Sequence, residues 1–175
     1  MERISKENYY LDIAETVIGR STCLRRRYGA IIVKNDEIIS TGYNGAPRGR
    51  RNCVDLGYCA REALRVPRGE RYELCRSVHA EANAIISAAR RDMAGGTLYL
   101  AGKDAATGAI LPDATSCSMC RRMIINAGLE KVVIRTGAQD YVTIPVEEWV
   151  REDDSLPAGL VREDTEKKEE NESPC

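Results

Sequence analysis

The sequence predicts an α/β layered fold, a sheet covered by helices, and three observations predict it. Apolar residues recur at helical spacing in some segments and form short alternating or continuous runs in others. The two kinds of segment follow one another in the order α-β-β-α-β-α-β, which is the pattern of a layered α/β domain. Phenylalanine is absent, so the core must rest on Ile, Val, Leu, Ala and Tyr, side chains that suit a sheet under helices. The first two strands read as an antiparallel hairpin, and the helix-linked strands after them are expected to run parallel.

Each element has a local reason. Ser5 caps a first helix in which Leu11, Ala14, Val17 and Ile18 share a face, ending near Gly19 to Thr22. Tyr28 to Val33 and Ile38 to Gly42 read as strands joined by the turn-forming run Lys34-Asn35-Asp36-Glu37. From Arg48 to Arg76 the chain is polar, rich in arginine and poor in apolar pattern, and it reads as one long functional loop. A helix starts at His79 and is expected to end near Arg90-Arg91-Asp92. Thr97 to Ala101 is a strand after Gly95-Gly96, and residues 102 to 115 are a loop with a turn at Thr107-Gly108. A second helix runs from about Cys117 to Asn126, with Gly128 as its stop signal. Lys131 to Arg135 is a strand, Val142 to Ile144 a further short one, and Glu147, Glu148 and Trp149 fall in a turn.

Composition bounds the rest. A chain of 175 residues with 43% hydrophobic and 30% charged content fits one ordinary domain, expected over residues 1–150. Residues 151–175 carry nine acids against four bases, a net −5, and are expected to form a disordered, acidic, solubilising tail. With the whole chain at −1, the first 150 residues stand at +4, which suits a small anionic ligand better than nucleic acid. The first eight residues lack an apolar core of the signal-peptide kind, and no apolar run reaches the roughly 18 residues of a membrane span. A cytoplasmic protein is the expectation, and there seven cysteines read as metal ligands or free thiols rather than disulfides.

Two stretches carry chemistry. In Ser77-Val78-His79-Ala80-Glu81 the only histidine of the chain stands two residues before a glutamate at a helix start. An imidazole placed there can bind a metal while the carboxylate stands beside it uncoordinated, free to move protons. In Cys117-Ser118-Met119-Cys120 one helical turn brings two thiolates to one face. One histidine, two thiolates and an open fourth position describe a catalytic zinc centre rather than a closed structural one. The competing reading is a core histidine with two incidental thiols; agreement of four residues in type, spacing and helix position weighs against it. Cys23, Cys53, Cys59 and Cys75 form a second set that reads either as a structural zinc site or as buried free thiols.

With His79-Ala80-Glu81, Cys117-x-x-Cys120, Gly42-Tyr43-Asn44-Gly45 and Glu73-Leu74-Cys75-Arg76-Ser77 in view, the chain resembles the zinc-dependent cytidine deaminase superfamily from about Ser5 to Trp149. Within it the chain is most similar to the deoxycytidylate (dCMP) deaminase branch. The resemblance implies a three-layer α-β-α fold and hydrolytic deamination of dCMP to dUMP and ammonia for thymidylate synthesis. Zinc on His79, Cys117 and Cys120 would make hydroxide available to attack C4, and Glu81 would shuttle the protons. It also implies that Asn44 and Ala80 contact the substrate, that the Thr115 carbonyl accepts from the exocyclic amine, and that at least one of Arg25, Arg26 and Arg27 pairs with the 5′-phosphate. A homo-oligomer, dimer-based or hexameric, is implied, as is regulation by dCTP and dTTP at the Gly42-Tyr43-Asn44-Gly45 loop. Some relatives carry a second zinc, with Cys23 and Cys53 at matching positions. Ser116 stands where the family has proline; serine is a good helix cap, and the departure bears on how rigidly the Thr115 carbonyl is aimed.

Plainer readings stand beside these. The arginine run also fits a solvated helix end, and Asn44-Gly45 also fits an ordinary turn. Arg90-Arg91 is most simply a solvated helix end. Two other functions compete with dCMP deamination: deamination of another cytosine mononucleotide, such as CMP or a modified one, and zinc-stabilised nucleotide binding without turnover. Glu81 weighs against the last, since a pure binder needs no proton carrier.

Overall fold

In the computed structural model, which describes residues 3–152, the centre of the fold is strand β1 (Arg26–Lys34), buried on both faces from Gly29 to Val33. The five-stranded sheet has the order β2-β1-β3-β4-β5, with β2 at Glu37–Tyr43, β3 at Thr97–Asp104, β4 at Lys131–Arg135 and β5 at Tyr141–Pro145. Alternation along the strands sorts their side chains into two layers. Ile31, Val33, Tyr99, Ala101 and Val133 meet Tyr10, Leu11, Ala14 and Ile18 of helix α1 (Lys6–Ile18) on one face. Ala30, Ile32, Leu98, Leu100, Val132 and Ile134 meet α4 (Ala80–Ile86) and α6 (Ser118–Ala127) on the other. The expected α-β-α layering is therefore present.

Two glycines set how closely the helices lie on the sheet. A Cβ on Gly29 would stand 2.1 Å from the Ala14 carbonyl oxygen of α1. One on Gly42 would stand 2.2 Å from the Ala80 carbonyl oxygen of α4. The hairpin is tighter than expected: Lys34 pairs with Glu37, leaving Asn35 (φ 52°) and Asp36 (φ 63°) as a two-residue loop whose left-handed backbone matches strand twist. Ser5 caps α1 as expected, its hydroxyl accepting from the Asn8 N–H at 3.2 Å, and Gly128 (φ 77°) ends α6.

The helix-linked strands β3 and β4 run parallel as expected, within a mixed sheet in which β1 pairs with β3, and β4 with β5, in antiparallel fashion; three other expectations are corrected. Residues 136–140 between β4 and β5 are too few for the crossover of about a dozen that a parallel pair needs. The helix begun at His79 stops at Ile86, where the Ser87 hydroxyl donates to the Asn83 carbonyl and Ala89 turns extended, and α5 (Arg90–Met93) is separate. Glu147, Glu148 and Trp149 lie in helix α7 (Val146–Glu152) rather than a turn, with Val146 and Trp149 facing the core. The polar stretch 48–76 contains α2 (Cys53–Leu56), α3 (Ala60–Ala63) and a 3₁₀ turn at Tyr72–Leu74. Polar staples hold it. The Asp55 carboxylate accepts from Asn52 N at 2.9 Å, buried Arg61 donates to the Pro67 carbonyl at 2.7 Å, and Arg76 donates to the Arg51 carbonyl at 2.8 Å. Of the acidic segment 151–175, Arg151 and Glu152 finish α7 and the rest lies outside the described residues.

Candidate metal centre and cleft

The starts of α4 and α6 meet. His79 is the N-cap of α4, Cys117 the N-cap of α6, and Cys120 the third residue of α6. An antiparallel bridge between Gly45 and Val78 (N···O 2.8 and 3.2 Å) pins the chain just ahead of His79 to the end of β2. His79 Nδ1 then stands 3.4 Å from both the Cys117 and Cys120 sulfurs. Tetrahedral zinc bound to nitrogen and sulfur at ordinary bond lengths would separate such atoms by about 3.6 Å, so this soft donor set fits zinc. Among the described residues it is the one group of three or more metal-binding side chains whose ligand atoms lie within 4.8 Å of one another.

The electrostatics of the metal-free trio agree with that use. The hydrogen bond from Cys120, then that from His79, brings the Cys117 thiol down to about 4, so it is a thiolate at neutral pH. Burial opposes charge on His79, but its hydrogen bonds to Cys117 and Cys75 and the nearby Glu81 raise it to about 10. Cys120 is held as a thiol by its bond to that thiolate and by burial. Glu81 is 5% exposed, and burial raises its carboxyl above the usual carboxylate range.

His79, Cys117 and Glu81 line a cleft of about 830 Å³, open space included, together with Asn44, Ala80 and Thr115, while Cys120 is fully buried. The Asn44 side chain is largely used by the chain itself. Its Oδ1 accepts from Tyr28 N at 2.8 Å and Ser21 Oγ at 2.6 Å, and its Nδ2 donates to the Arg26 carbonyl at 2.9 Å. One Nδ2 hydrogen remains for a ligand. Arg25 and Arg26 line the cleft; Arg27, on the other face of β1, donates to the Cys23 carbonyl at 3.3 Å. In the Gly42-to-Gly45 loop, Gly42, Asn44 and Gly45 are buried, and Tyr43 alone keeps part of its surface. Cys23, Cys59 and Cys75 also line the cleft and Cys53 is buried, but no three of these four sulfurs converge to the spacing of the His79 trio. Ser116 is not the α6 cap. It precedes the cap, and its buried hydroxyl stands near the Glu81 carboxyl without a well-formed hydrogen bond.

Sequence reasoning missed four residues of the wall: Tyr28, Arg61, Arg68 and Tyr72. The Tyr72 ring meets His79 edge-on at 5.1 Å, and the Arg61 guanidinium lies over Tyr72 at 4.7 Å. Arg26 and Arg68 both face the Asp113 carboxylate, Arg26 at 3.8 Å. Strand alternation from Ala30 and Ile32 back through Tyr28 to Arg26 would have identified Tyr28, kept Arg26 and set Arg27 apart.

Comparison with known proteins agrees with this geometry. Residues 4–136 match the model of the cytidine and deoxycytidylate deaminase zinc-binding region. The deoxycytidylate deaminase of Mycobacterium phage D29 is 36% identical over 138 residues, covering 76% of this chain and 96% of that protein. The deoxycytidylate deaminase of Schizosaccharomyces pombe is 31% identical over 134 residues, 77% of this chain but only 38% of that longer protein. Among solved structures, dCMP deaminase from the cyanophage S-TIM5 in complex with dCMP and dUMP superposes with a TM-score of 0.51 at 26% identity, covering 76% of this chain and 84% of that one. A zinc-fitting His79-Cys117-Cys120 trio beside a buried Glu81, on a matching fold, places this chain in the cytidine and deoxycytidylate deaminase family.

Proposed function

We propose that this protein is a dCMP deaminase, hydrolysing dCMP to dUMP and ammonia. The observation that carries the reading is the buried Glu81 beside the converged His79, Cys117 and Cys120, at the floor of a cleft walled by arginines. His79, Cys117 and Cys120 would hold a zinc ion, which when bound supplies an acidified water as nucleophile. Glu81 would take one proton from the attacking water and deliver it to cytosine N3, then take the second from the new hydroxyl on C4 and pass it to the amine, so that the C4–N bond breaks, the C4 carbonyl forms and ammonia leaves. The Thr115 carbonyl would hold the exocyclic amine, Asn44 and the Ala80 backbone the sugar and base. The cationic wall of Arg25, Arg26, Arg61 and Arg68 would draw the 5′-phosphate, favouring a nucleotide over a nucleoside.

Further parts of the proposal follow the same resemblance. Cys23, Cys53, Cys59 and Cys75 would close around a structural zinc, which requires their sulfurs to draw together on binding; the metal content then approaches two per chain. A dimer-based homo-oligomer in the cytoplasm, with dCTP and dTTP as effectors, completes it. No helix of the described residues is long and apolar enough to cross a membrane. The test is ammonia release by metal-quantified protein offered dCMP, CMP and deoxycytidine in parallel, with and without the triphosphates. Turnover of dCMP well above the other two supports the reading; preference for CMP moves it to a ribonucleotide deaminase, and no turnover on any of them removes it.

A further inference from the structure

A line of contacts joins the C-terminal helix to the segment that carries the first thiolate. Trp149 on α7 is 8% exposed, and the Arg121 guanidinium carbon lies 5.1 Å from the centre of its ring. Arg121 follows Cys120 on α6, and its side chain reaches backward, so that Nε donates to the Ser116 carbonyl at 3.1 Å. Ser116 sits between Thr115, which lines the cleft, and the ligand Cys117. It is 1% exposed, and its hydroxyl has no well-formed hydrogen bond among the described residues to fix the backbone. The Arg121 contact therefore holds the peptide that the Ser116 side chain does not.

We propose that Arg121, braced on Trp149, is a positioning residue that sets the orientation of the Thr115–Ser116–Cys117 backbone, and with it the aim of the Thr115 carbonyl into the cleft. The proposal rests on the deaminase reading above, in which that carbonyl holds the departing amine. Rotation about the bonds flanking the Thr115–Ser116 peptide swings the Thr115 oxygen while leaving the Cys117 sulfur nearly in place. Loss of the clamp should thus damage chemistry more than metal or ligand binding. It also gives α7, remote in sequence from the site, a part in catalysis.

The test is Arg121→Met, which keeps aliphatic bulk over the indole and removes the donor. The expected result is a fall in kcat of about tenfold. Zinc per chain and the calorimetric Kd for dUMP, which lacks the amine, should stay within about twofold, and the melting temperature should fall by only about 2–8 °C, leaving the protein folded at assay temperature. Adding Ser116→Pro to Arg121→Met should restore most of kcat, because the ring fixes φ at position 116, the torsion adjoining the Thr115–Ser116 peptide, and so limits the swing of the Thr115 oxygen by a second route. Amide hydrogen exchange at Cys117 to Cys120 should quicken in Arg121→Met whether or not any substrate is turned over. Unchanged exchange overturns the proposal, as does a kcat within twofold of the parent, or a loss that tracks missing zinc or unfolded protein. An inactive parent protein whose exchange still responds to Arg121→Met would instead sink the deaminase reading and leave the clamp standing.

Discussion

Replacing Gly42 with alanine tests whether the approach of α4 to the sheet governs the metal centre. The new Cβ would lie 2.2 Å from the Ala80 carbonyl oxygen, 2.3 Å from the Ala84 nitrogen and 2.9 Å from the Asn83 carbonyl carbon, all backbone atoms. Cβ contacts essentially never fall below 3.0 Å, so α4 must move out by about 1 Å. Overpacking of this kind costs about 1–3 kcal/mol. For a chain of this length that is a fall in melting temperature of about 2–12 °C. Because His79 caps α4 and Glu81 lies in its first turn, the same shift displaces the proposed ligand and the proposed proton carrier together. A misplacement of about 1 Å can lower turnover on the order of 100-fold. Gly29→Ala is the contrast. Its Cβ would stand 2.1 Å from the Ala14 carbonyl oxygen, an equal clash, but with α1 on the face away from the site. Thermal unfolding and kcat of the folded, zinc-loaded fraction are measured for both. Both variants should melt lower, and only Gly42→Ala should lose kcat. Equal kcat losses, or a Gly42→Ala protein that melts and turns over like the parent, would refute the reasoning.

Other consequences are as specific. Asp113 pairs with Arg26 and Arg68 and would compete with a phosphate under the proposed reading, so Asp113→Asn should lower KM for a cytosine 5′-monophosphate by about two- to fivefold and leave the nucleoside unaffected; equal effects on both would contradict the competition. Arg135 is fully buried, bonded to Asn8 Oδ1 and the Ala138 carbonyl at 2.8 Å and paired with Glu15 at 3.0 Å and with Asp12. Arg135→Met should cost about 1–3 kcal/mol in denaturant unfolding, chiefly because the buried Asn8 side-chain carbonyl oxygen loses its donor; Glu15 keeps Lys103 at 2.7 Å and the Asp12 side chain is half exposed. Loading zinc into metal-free protein at pH 7 should release about two protons per ion, one from His79, raised to about 10, and one from the Cys120 thiol. Cys117, at about 4, has none to give. Since both released protons compete with the metal, apparent zinc affinity should fall as pH falls; a pH-independent affinity between 6 and 8 would contradict the assignment.

The parts of the fold legible in the sequence are those written as local pattern. The caps at Ser5 and Gly128, the strand Lys131–Arg135 and the spacing His-x-Glu with Cys-x-x-Cys all depend on residues within one or two helical turns of each other. What stayed hidden depends on distant partners. Gly29 and Gly42 look like ordinary strand glycines until a helix backbone is laid against them. Residues 48–76 fold through Asn52, Arg61 and Arg76 bonding to backbone, which leaves no apolar periodicity to read. Helix α7 does carry a local signal, Pro145 just ahead of it and Glu147 and Glu148 in its first turn. In the site, the metal trio was legible because chemistry restricts its residue types. Tyr72 and Arg68 were not, because a cleft wall is defined by where three short helices and turns happen to bring it.

The most direct test of the central claim is Glu81→Gln, compared with the parent for ammonia release from dCMP and for zinc content. The glutamine keeps the shape of the buried side chain and removes its capacity to carry a proton. Zinc should be bound as in the parent, dUMP should still bind, and kcat should be lower by at least about a hundredfold. Turnover within a few-fold of the parent, with zinc retained, would contradict the assignment of Glu81 as the proton carrier and with it the proposed mechanism.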